Sequence, residues 1–323
     1  MSQQPIIQIR DLSVRFGEVQ AVNHVTFDIP EGKITAIVGE SGSGKTTIAT
    51  AILDLIPDSA KVTGKILYKG QDVRTMSKHE LRNYRWSDVS MVFQAAQSAL
   101  NPVMTVGDQF VETVKEHNDV PTSDIMKKAS QLLDYVRLDP ERVLKSFPHE
   151  LSGGMKQRVM IAFSLLLDSK FVILDEPTTA LDVITQDYIF DILARINRDF
   201  GTTMLLVTHD IAIVARAADY IGVMYGGKLV EFGETFRMFE EPRHPYTQGL
   251  IQATPSLLTD NDSIKQIGGL PPNLAALPSG CAFHPRCPFA KDICRSETPV
   301  IEYFDDGELV SCHRQNNEQY KAG

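Results

Sequence analysis

One glycine-rich segment limits the folds open to this chain more than any other feature. Residues 39–46 read Gly-Glu-Ser-Gly-Ser-Gly-Lys-Thr, with an apolar strand-like run at 34–38 before them and a helix-forming run at 47–55 after them. Glycines let the backbone curl so that its amide groups converge, and the following helix N-terminus adds a favourable dipole for anions. The pattern G-x-x-x-x-G-K-[ST] in this setting is therefore typical of a loop that cradles phosphates.

Two side chains of this segment carry specific chemistry. Lys45 can supply a point charge to the β- and γ-phosphates, and Thr46 can offer its hydroxyl to Mg²⁺. The sequence therefore predicts a nucleoside triphosphate as ligand. The candidate binding residues are Gly39, Glu40, Ser41, Gly42, Ser43, Gly44, Lys45, Thr46 and Thr47.

A second apolar run ends in two carboxylates. Residues 171–174 are Phe-Val-Ile-Leu, followed by Asp175 and Glu176, which predicts a buried strand whose tip reaches a cleft. Asp175 can hold Mg²⁺ directly or through water. Glu176 is then placed to orient or deprotonate an attacking water. Taken alone, the same pattern also describes a strand that ends in a solvated acidic turn.

A second helix start suited to anions lies at residues 151–158, where Ser152, Gly153 and Gly154 precede a helical run. One site rarely needs two such helix starts for one γ-phosphate. A second copy of the chain, or a homologue, would explain both. The alternative is an N-cap serine followed by two loop glycines.

Strand-like and helix-like runs alternate along most of the chain, which predicts βαβ units and a largely parallel sheet. The strand-like runs are residues 6–9, 25–29, 34–38, 65–68, 171–174, 203–207, 220–223 and 228–231. Helix-like runs include 127–136, 155–168, 184–200 and 210–219, and the segment from about 100 to 151 is helical and more polar.

Together these motifs resemble the nucleotide-binding subunit of ABC transporters, in the family's order across about residues 5–245. By this resemblance the Walker A motif is residues 39–46, Walker B is 171–175, and the signature is 151–157, with Met155 where glutamine is commoner. The remaining family motifs are the adenine-stacking aromatic Phe16, the Q-loop glutamine Gln94, the D-loop 179–182 and the switch histidine His209.

The resemblance implies a hydrolytic site shared by two subunits packed head to tail. The implied catalytic residues are Glu176, His209, Lys45 and Gln94, and the implied Mg²⁺ ligands are Thr46, Gln94 and Asp175. Each ATP would also contact Ser152, Gly153, Gly154 and Asp182 of the opposite subunit. The segment between Gln94 and Val106 would line the groove that receives a permease helix.

The composition changes after Glu240, where prolines become dense and all four cysteines follow residue 280. This predicts a linker and a small accessory domain. Cys281, Cys287, Cys294 and Cys312 have the spacing C-x5-C-x6-C-x17-C. Structural zinc sites usually use closer pairs, and four thiolates also suit a [4Fe–4S] cluster. An iron–sulfur cluster, zinc, and free or oxidised thiols all remain open from the spacing.

The tail narrows the resemblance. Residues 244–247 (His-Pro-Tyr-Thr), 269–272 (Gly-Leu-Pro-Pro) and 281–288 look like the tail of the peptide/nickel-uptake branch of ABC ATPases. Members with this four-cysteine tail are associated with a [4Fe–4S] cluster. The implied fold is an α/β P-loop NTPase core of the RecA-like type, with a mixed sheet. The implied domains are residues 1–245, with a helical subdomain at about 96–155, and an accessory domain at 246–323.

The implied function is ATP hydrolysis that powers import of di- or oligopeptides. The expected partners are two integral-membrane permeases, a second and different ATPase chain, and indirectly an extracytoplasmic solute-binding protein. A homodimer is the alternative assembly, and nickel or another small solute is the alternative cargo. Two further alternatives are a soluble ABC ATPase outside transport and a regulatory subunit that does not hydrolyse ATP. Intact Glu176 and His209 argue against the latter.

Charge and hydropathy bound the location and the partners. The formal net charge is −9 and the pI is about 5.4, which argues against a broad nucleic-acid-binding surface. No window approaches the roughly 18 consecutive apolar residues of a membrane span, and no signal peptide is visible at the start. The expected location is the cytoplasmic face of the cell membrane, as a peripheral subunit.

Overall fold

A computed structural model describes residues 5–94, 99–179, 181–254, 267–305 and 307–315. The chain divides into two compact units, residues 1–74 together with 207–323, and residues 75–206. We call them the outer-segment unit and the central-segment unit. The domain boundaries predicted at 245 and 246, and the helical subdomain at 96–155, stay predictions.

An antiparallel sheet forms the first part of the outer-segment unit. Its strand order is β2-β1-β4-β5. The strands are β1 (Pro5–Phe16), β2 (Val19–Pro30), β4 (Lys61–Tyr68) and β5 (Gln71–Asp72). Ile9 lies opposite Phe27 on one side and Ile66 on the other. All three side chains are buried, so cross-strand apolar pairs hold the register.

A mixed sheet forms the rest of this unit. Strand β3 (Ile34–Val38) pairs in parallel with β9 (Tyr220–Tyr225), and β9 pairs antiparallel with β10 (Lys228–Glu234). Two short strands of the tail, β11 (Glu302–Tyr303) and β12 (Leu309–Val310), extend the sheet beside β10. The tail thus contributes strands to the sheet that carries the glycine-rich loop. The mixed sheet implied by the family resemblance is thus present. The largely parallel sheet predicted from the alternation of strands and helices alone is not found among the described strands of this unit, because β10, β11 and β12 all pair antiparallel.

The buried faces explain where the helices of the outer-segment unit pack. Every residue of β3 is buried, as expected of a parallel strand covered on both faces. Helix α1 begins at Lys45, within the glycine-rich segment, and buries Ile48, Ala49 and Ile52. The helices of this unit are α1 (Lys45–Ile52), α8 (Ile211–Ala217), α9 (Thr235–Glu240), α10 (Pro245–Gln252) and α11 (Asp292–Ser296).

The central-segment unit combines a parallel strand pair with most of the helices. Strand β6 (Val89–Val92) pairs in parallel with β7 (Phe171–Asp175), and β8 (Thr203–Thr208) contains the boundary between the units. The helices are α2 (Lys78–Asn83), α3 (Val106–His117), α4 (Thr122–Tyr135), α5 (Pro140–Lys145), α6 (Gly153–Ser164) and α7 (Val183–Phe200). Across the described ranges, no helix is both long enough and apolar enough to cross a membrane.

The largest local differences from the sequence prediction concern β1 and β2, which span 12 residues each. The apolar runs predicted only 6–9 and 25–29. Asp11 and His24 adopt positive φ values of 52° and 53°, and the β1–β2 register shifts between Ile9 and Leu12. Apolar patterning ends at such polar interruptions, whereas backbone pairing continues past them.

Candidate active site

The backbone of the glycine-rich loop requires glycine at two positions. Gly39 has φ 148°, and a Cβ built on it would lie 2.2 Å from the carbonyl oxygen of Met224. Gly44 has φ 101°, and its Cβ would lie 2.2 Å from the carbonyl oxygen of Ala21. L-residues rarely adopt such φ values, and both contacts are with rigid backbone. The loop is therefore shaped by close approach of β9 and β2, which sequence spacing alone does not show.

Lys45 is buried within this loop. The side chain is only 5% exposed, and its Nζ donates hydrogen bonds to the carbonyl oxygens of Gly39 at 2.8 Å and Glu40 at 2.9 Å. These bonds fold the long side chain back over the loop. The ammonium is thus held beside the loop's own backbone, as a phosphate-binding lysine requires. Thr46, at the start of α1, is exposed.

Phe16 and His209 also lie in the outer-segment unit. Phe16 is half-buried at the end of β1, opposite Val19, in the hairpin whose second strand carries Ala21. His209 is exposed directly after β8. The next residue, Asp210, caps α8 by accepting hydrogen bonds from the N–H groups of Ala212 and Ile213 at 3.0 and 3.3 Å. The cap explains why the chain turns directly after His209.

The central-segment unit brings two of the predicted catalytic side chains together. Gln94 Nε2 donates a hydrogen bond to Glu176 Oε2 at 3.0 Å, and Thr179 Oγ1 donates to the same oxygen at 2.8 Å. Val92 pairs with Leu174, so Gln94 and Glu176 follow neighbouring parallel strands at the same edge. Asp175, the last residue of β7, is 1% exposed, whereas Glu176 is half-buried with φ 47°. The strand end thus presents one deeply buried and one accessible carboxylate.

The two helix starts of this unit lie against each other. Ser152 is exposed and caps α6, its Oγ accepting a hydrogen bond from the N–H of Met155 at 3.3 Å. A Cβ on Gly154 would lie 2.9 Å from Cγ2 of Thr185 in α7. Asp182 caps α7, accepting from Thr185 N at 2.9 Å and from its hydroxyl at 2.7 Å. The hydroxyl bond is the main reason that the pKa of Asp182 lies below its usual value.

Sequence reasoning identified Asp182 only as a residue for the opposite subunit and missed its capping role. The Asp-x-x-Thr spacing at a helix start could have revealed it. Ala180, inside the predicted D-loop, and residues 95–98, inside the predicted permease groove, lie outside the described residues.

The four cysteines converge in the outer-segment unit. Cys281, Cys287, Cys294 and Cys312 line one small cavity, together with His284 and His313 among others. Burial, more than any other cause, raises the pKa of the Cys281 thiol to about 11 and that of Cys312 to about 12. Within the described ranges, no group of three or more His, Cys, Asp or Glu side chains is arranged to hold a metal ion.

Two residues that sequence reasoning missed contact the glycine-rich loop. Arg286 forms an ion pair with Glu40, and the hydroxyl of Tyr246 accepts a hydrogen bond from the N–H of Glu40 at 3.1 Å. Both lie more than 200 positions along the chain from Glu40. No local pattern signals such contacts.

Comparison with known proteins agrees with the motifs and with the tail. The family model described as ABC transporter matches residues 22–179, and the model for the oligopeptide/dipeptide transporter C-terminal region matches residues 230–294. The dipeptide transport ATP-binding protein DppD of Caldanaerobacter subterraneus subsp. tengcongensis is 47% identical over 314 residues, which cover 95% of this chain and 96% of the relative. The chain belongs to the ABC transporter family.

Further relatives of this ABC protein support the same assignment. The oligopeptide transport ATP-binding protein OppD of Escherichia coli is 40% identical over 97% of this chain and 94% of its own length. Among solved structures, cbiO1 from Clostridium perfringens, part of an ABC transporter complex, matches with a TM-score of 0.65 at 28% identity, covering 74% of this chain and 92% of its own. A dimeric bacterial ABC transporter cassette matches with a TM-score of 0.63 at 29% identity, covering 71% and 98%.

These comparisons confirm the predicted α/β P-loop fold and the family resemblance. ATP and Mg²⁺ are the ligands expected of the family. The two solved structures named above cover 74% and 71% of this chain. The C-terminal-region model includes Cys281, Cys287 and Cys294, and the dipeptide transport relative aligns with 95% of the chain.

Proposed function

We propose that this chain is the ATP-hydrolysing subunit of an ABC importer for di- and oligopeptides. The observation that carries the proposal is the 47% identity to a dipeptide transport ATP-binding protein over 95% of the chain. The matching C-terminal region adds support, because it belongs to oligopeptide and dipeptide transporters by description. The hydrogen bond between Gln94 and Glu176 supports a hydrolytic site.

The proposed roles follow from where each side chain lies. Lys45, held at the loop, binds the β- and γ-phosphates, and Phe16 stacks on adenine. Glu176 orients or deprotonates the attacking water, and Gln94 positions that carboxylate. His209 hydrogen-bonds the γ-phosphate and so responds to its presence.

The donor set for a divalent cation fits Mg²⁺, which prefers oxygen ligands. Asp175 offers a buried carboxylate at a strand end, and Thr46 offers an exposed hydroxyl at a helix start. Gln94 is the third proposed ligand, through its amide oxygen. When bound, Mg²⁺ neutralises charge that develops on the phosphates.

Transport assays test the proposed cargo. The complex that contains this chain, reconstituted in vesicles with ATP on the appropriate side, is expected to accumulate a labelled dipeptide or oligopeptide. A Lys45→Ala complex is the matched negative control, because it lacks the phosphate-binding charge. Accumulation of nickel or another small solute instead of peptides would contradict the peptide assignment while leaving the importer assignment intact.

We further propose that the chain works as a peripheral subunit at the cytoplasmic face of the membrane. There it would associate with two permeases and a second, homologous ATPase, and indirectly with an extracytoplasmic solute-binding protein. The exposed helix start at Ser152 supports head-to-tail pairing, because it leaves an anion-binding terminus free for a neighbour's nucleotide. The dimeric state of a solved relative adds support.

Co-purification tests this assembly. A tagged Glu176→Gln protein, isolated from detergent-solubilised membranes with ATP and Mg²⁺, is expected to bring down two integral-membrane proteins and a second ATPase. If the two membrane proteins are recovered with this chain and without a second kind of ATPase chain, the result would favour the homodimer. Recovery of soluble partners alone would contradict the transporter assembly and favour a soluble ABC ATPase.

For the tail, we propose that the four cysteines hold a [4Fe–4S] cluster, with Zn²⁺ as the alternative. The convergence of four thiols on one cavity supports a four-thiolate site. Backbone N–H groups of Phe283, Phe289 and Arg314 donate to the sulfurs of Cys281, Cys287 and Cys312, and such donors stabilise bound thiolates. The thiols as placed do not form a metal-holding group, so binding of a cluster requires the cysteine side chains to rearrange.

Anaerobic purification tests the cluster. We expect a brown protein with broad absorbance at about 400 nm, and loss of that absorbance in Cys281→Ser. Iron and acid-labile sulfide, measured per chain, check the composition. A colourless protein that contains zinc, or one that contains no metal, would contradict the cluster.

A further inference from the structure

The cysteine-rich tail reaches the glycine-rich loop through one arginine. Arg286 lies directly before Cys287, and its guanidinium donates two hydrogen bonds to the Glu40 carboxylate, Nη1 to Oε2 and Nη2 to Oε1, each at 2.8 Å. The Arg286 side chain is 6% exposed and that of Glu40 is 25% exposed. Bidentate, largely desolvated pairs of this kind are among the strongest polar contacts in proteins.

The guanidinium is fixed from its other sides as well. Its Nε donates to the carbonyl oxygen of Gly268 at 2.8 Å, and Nη1 lies 3.3 Å from the hydroxyl of Tyr225. The guanidinium carbon also lies 5.7 Å from the centre of the Tyr225 ring. The hydrogen bonds to Glu40, and after them the contact with Tyr225, stabilise the protonated guanidinium. The pKa of Arg286 is therefore raised above its already high usual value. Arg286 is thus held in one orientation.

A second arginine of the same tail shows what an ordinary surface pair looks like. Arg295 lies 3.9 Å from Asp292, and the two side chains are 64% and 109% exposed. Exposed pairs at such distances contribute little, because water screens them and both side chains stay mobile. Arg286 and Arg295 therefore differ in burial and geometry while sharing the segment and the charge.

Glu40 connects this contact to the phosphate-binding lysine. Its backbone N–H donates to the Tyr246 hydroxyl at 3.1 Å. Its carbonyl oxygen accepts from Lys45 Nζ at 2.9 Å and from the N–H of Ser43 at 3.2 Å. A rotation of Glu40 would move the very carbonyl on which Lys45 rests. By holding the Glu40 carboxylate, Arg286 therefore restrains the Glu40 carbonyl that accepts the hydrogen bond from Lys45.

The backbone of Arg286 is in turn fixed by the cysteine segment. The N–H of Arg286 donates to the carbonyl oxygen of Phe283 at 3.0 Å, and the N–H of Cys287 donates to the backbone carbonyl oxygen of His284 at 3.3 Å. The N–H of Cys281 donates to the carbonyl of Cys294 at 2.9 Å, which ties this turn to α11. The position of the guanidinium thus depends on how this segment folds.

We propose that Arg286 is a positioning residue of the nucleotide site, acting through Glu40 on the backbone that holds Lys45. Nucleotide affinity then depends on the fold of the cysteine segment. The proposal rests on the proposed function in one respect, namely that residues 39–46 bind ATP.

Nucleotide titration of the purified full-length protein tests the proposal. With a fluorescent ATP analogue and Mg²⁺, we expect Arg286→Ala to raise Kd about tenfold, which corresponds to about 1.4 kcal/mol of binding free energy. Arg286→Lys is expected to lie between Arg286→Ala and the wild type, because an ammonium keeps the charge and loses the two parallel bonds. Arg295→Ala, the matched control, is expected to leave Kd unchanged.

A double-mutant cycle identifies Glu40 as the route. Glu40→Gln weakens the same contact from the loop side and leaves the cysteine segment intact. In that background, Arg286→Ala is expected to raise Kd only slightly further, since residues that act through one contact are not additive. Amide hydrogen exchange of residues 39–46 is expected to speed up in Arg286→Ala and Glu40→Gln and to stay unchanged in Arg295→Ala.

Two results separate failure of this inference from failure of the proposed function. If Arg286→Ala and Arg286→Lys lower the melting temperature while Kd and the exchange of residues 39–46 match the wild type, Arg286 is merely structural and the inference is wrong. If Arg286→Ala does not fold, Arg286→Lys and Glu40→Gln still give the test. If the wild type does not bind the analogue, or if Lys45→Ala binds it as tightly as the wild type, the assignment of residues 39–46 as the ATP loop is itself wrong.

Discussion

The glycine-rich loop and the Glu176 strand end are held in place by different means. In the outer-segment unit, Gly39 and Gly44 approach carbonyl oxygens of β9 and β2, and buried Lys45 bonds to the loop itself. In the central-segment unit, Glu176 is held by two side-chain hydrogen bonds, and the donors Gln94 and Thr179 are both exposed. Close backbone contacts confine the two glycines of the loop, whereas the Glu176 carboxylate accepts hydrogen bonds from side chains at a strand end.

This difference predicts a separation of stability from turnover. Close backbone contacts cannot relax around a new side chain, so changes in the loop should affect folding and binding together. The Glu176 carboxylate is half-buried and accepts two hydrogen bonds that a glutamine oxygen can also accept. Its replacement by glutamine should therefore affect chemistry far more than folding. Substitutions at the two sites and at two further buried or capping carboxylates are expected to show this separation.

We expect Glu176→Gln to lower ATP turnover about a thousandfold, within the range known for removal of a general base. The amide keeps an oxygen that can accept from Gln94 and Thr179, so the melting temperature and ATP binding should hardly change. ATPase assays of the assembled complex and thermal unfolding check both statements. Asp191→Asn neutralises an exposed carboxylate of the same unit and should leave turnover intact. Unchanged turnover in Glu176→Gln would show that another group performs this role.

We expect Gly44→Ala to destabilise the outer-segment unit by about 4 kcal/mol and to abolish ATP binding, because its Cβ meets a backbone carbonyl at a positive φ. Gly42→Ala is the matched control, since Gly42 also has a positive φ, 79°, with nothing within 4 Å of its Cβ. That variant should lose only about 1 kcal/mol from backbone strain. Urea unfolding of both proteins gives the comparison, and equal losses would refute the close-contact explanation.

Glu231 is expected to make this unit less stable as the pH rises. It is 1% exposed and accepts from the N–H groups of Arg243 and His244, which lead into α10 and thus to Tyr246. Burial raises the pKa of Glu231 from 4.5 to about 7. The folded state therefore binds the proton more tightly than the unfolded state, so this stabilisation is full below about pH 4.5 and is lost towards pH 7.

The measurement for Glu231 is the free energy of unfolding of Glu231→Gln relative to the wild type across that pH range. The difference should shift in favour of the variant by on the order of 3 kcal/mol as the pH rises from about 4.5 to 7. Burial lowers the pKa of His244 from 6.5 to about 3. Through this group the free energy of unfolding rises with pH between about 3 and 6.5, opposite to the effect of Glu231. Because both proteins keep His244, the comparison cancels its effect. A pH-independent difference would contradict the raised pKa.

The smallest effect is expected at the cap of α7. Asp182→Ala removes the acceptor for the Thr185 N–H and should slightly lower the urea concentration at which the central-segment unit unfolds. Asp182→Asn keeps an acceptor oxygen and should reverse most of that decrease. Urea unfolding of the isolated chain measures the capping effect without a second ATPase. If ATPase activity of the complex falls while stability does not, Asp182 acts only towards the opposite subunit.

Local sequence was sufficient for features whose signal lies within a few residues. The P-loop pattern, the apolar strand that ends in Asp175 and Glu176, and the family resemblance all depend on short motifs in a fixed order. The comparisons with known proteins confirmed the family and the fold. The roles of the individual site residues and the domain boundaries remain predictions.

Long-range contacts and sheet register were beyond sequence reasoning. The mixed sheet was expected from the family resemblance, but its pairings were not: β10 pairs antiparallel with β9, and the tail returns to add β12 beside β10. The capping bond of Asp182 was also missed, although its spacing to Thr185 is visible in the sequence. Strand lengths were underestimated because polar residues such as Asp11 interrupt the apolar pattern without ending the strand.

By itself, the sequence determined which chemistry the chain carries: a phosphate loop with Lys45, a carboxylate pair at a strand end, and four cysteines in the tail. The functional groups of these residues are known from the residue types, wherever the residues lie in the fold. The hydrogen bonds from Arg286 to Glu40 and from Gln94 to Glu176 emerge only from the folded chain, since these pairs are separated by 246 and 82 positions. Pairings at such separations are set by the packing of whole strands and helices, which no local pattern records.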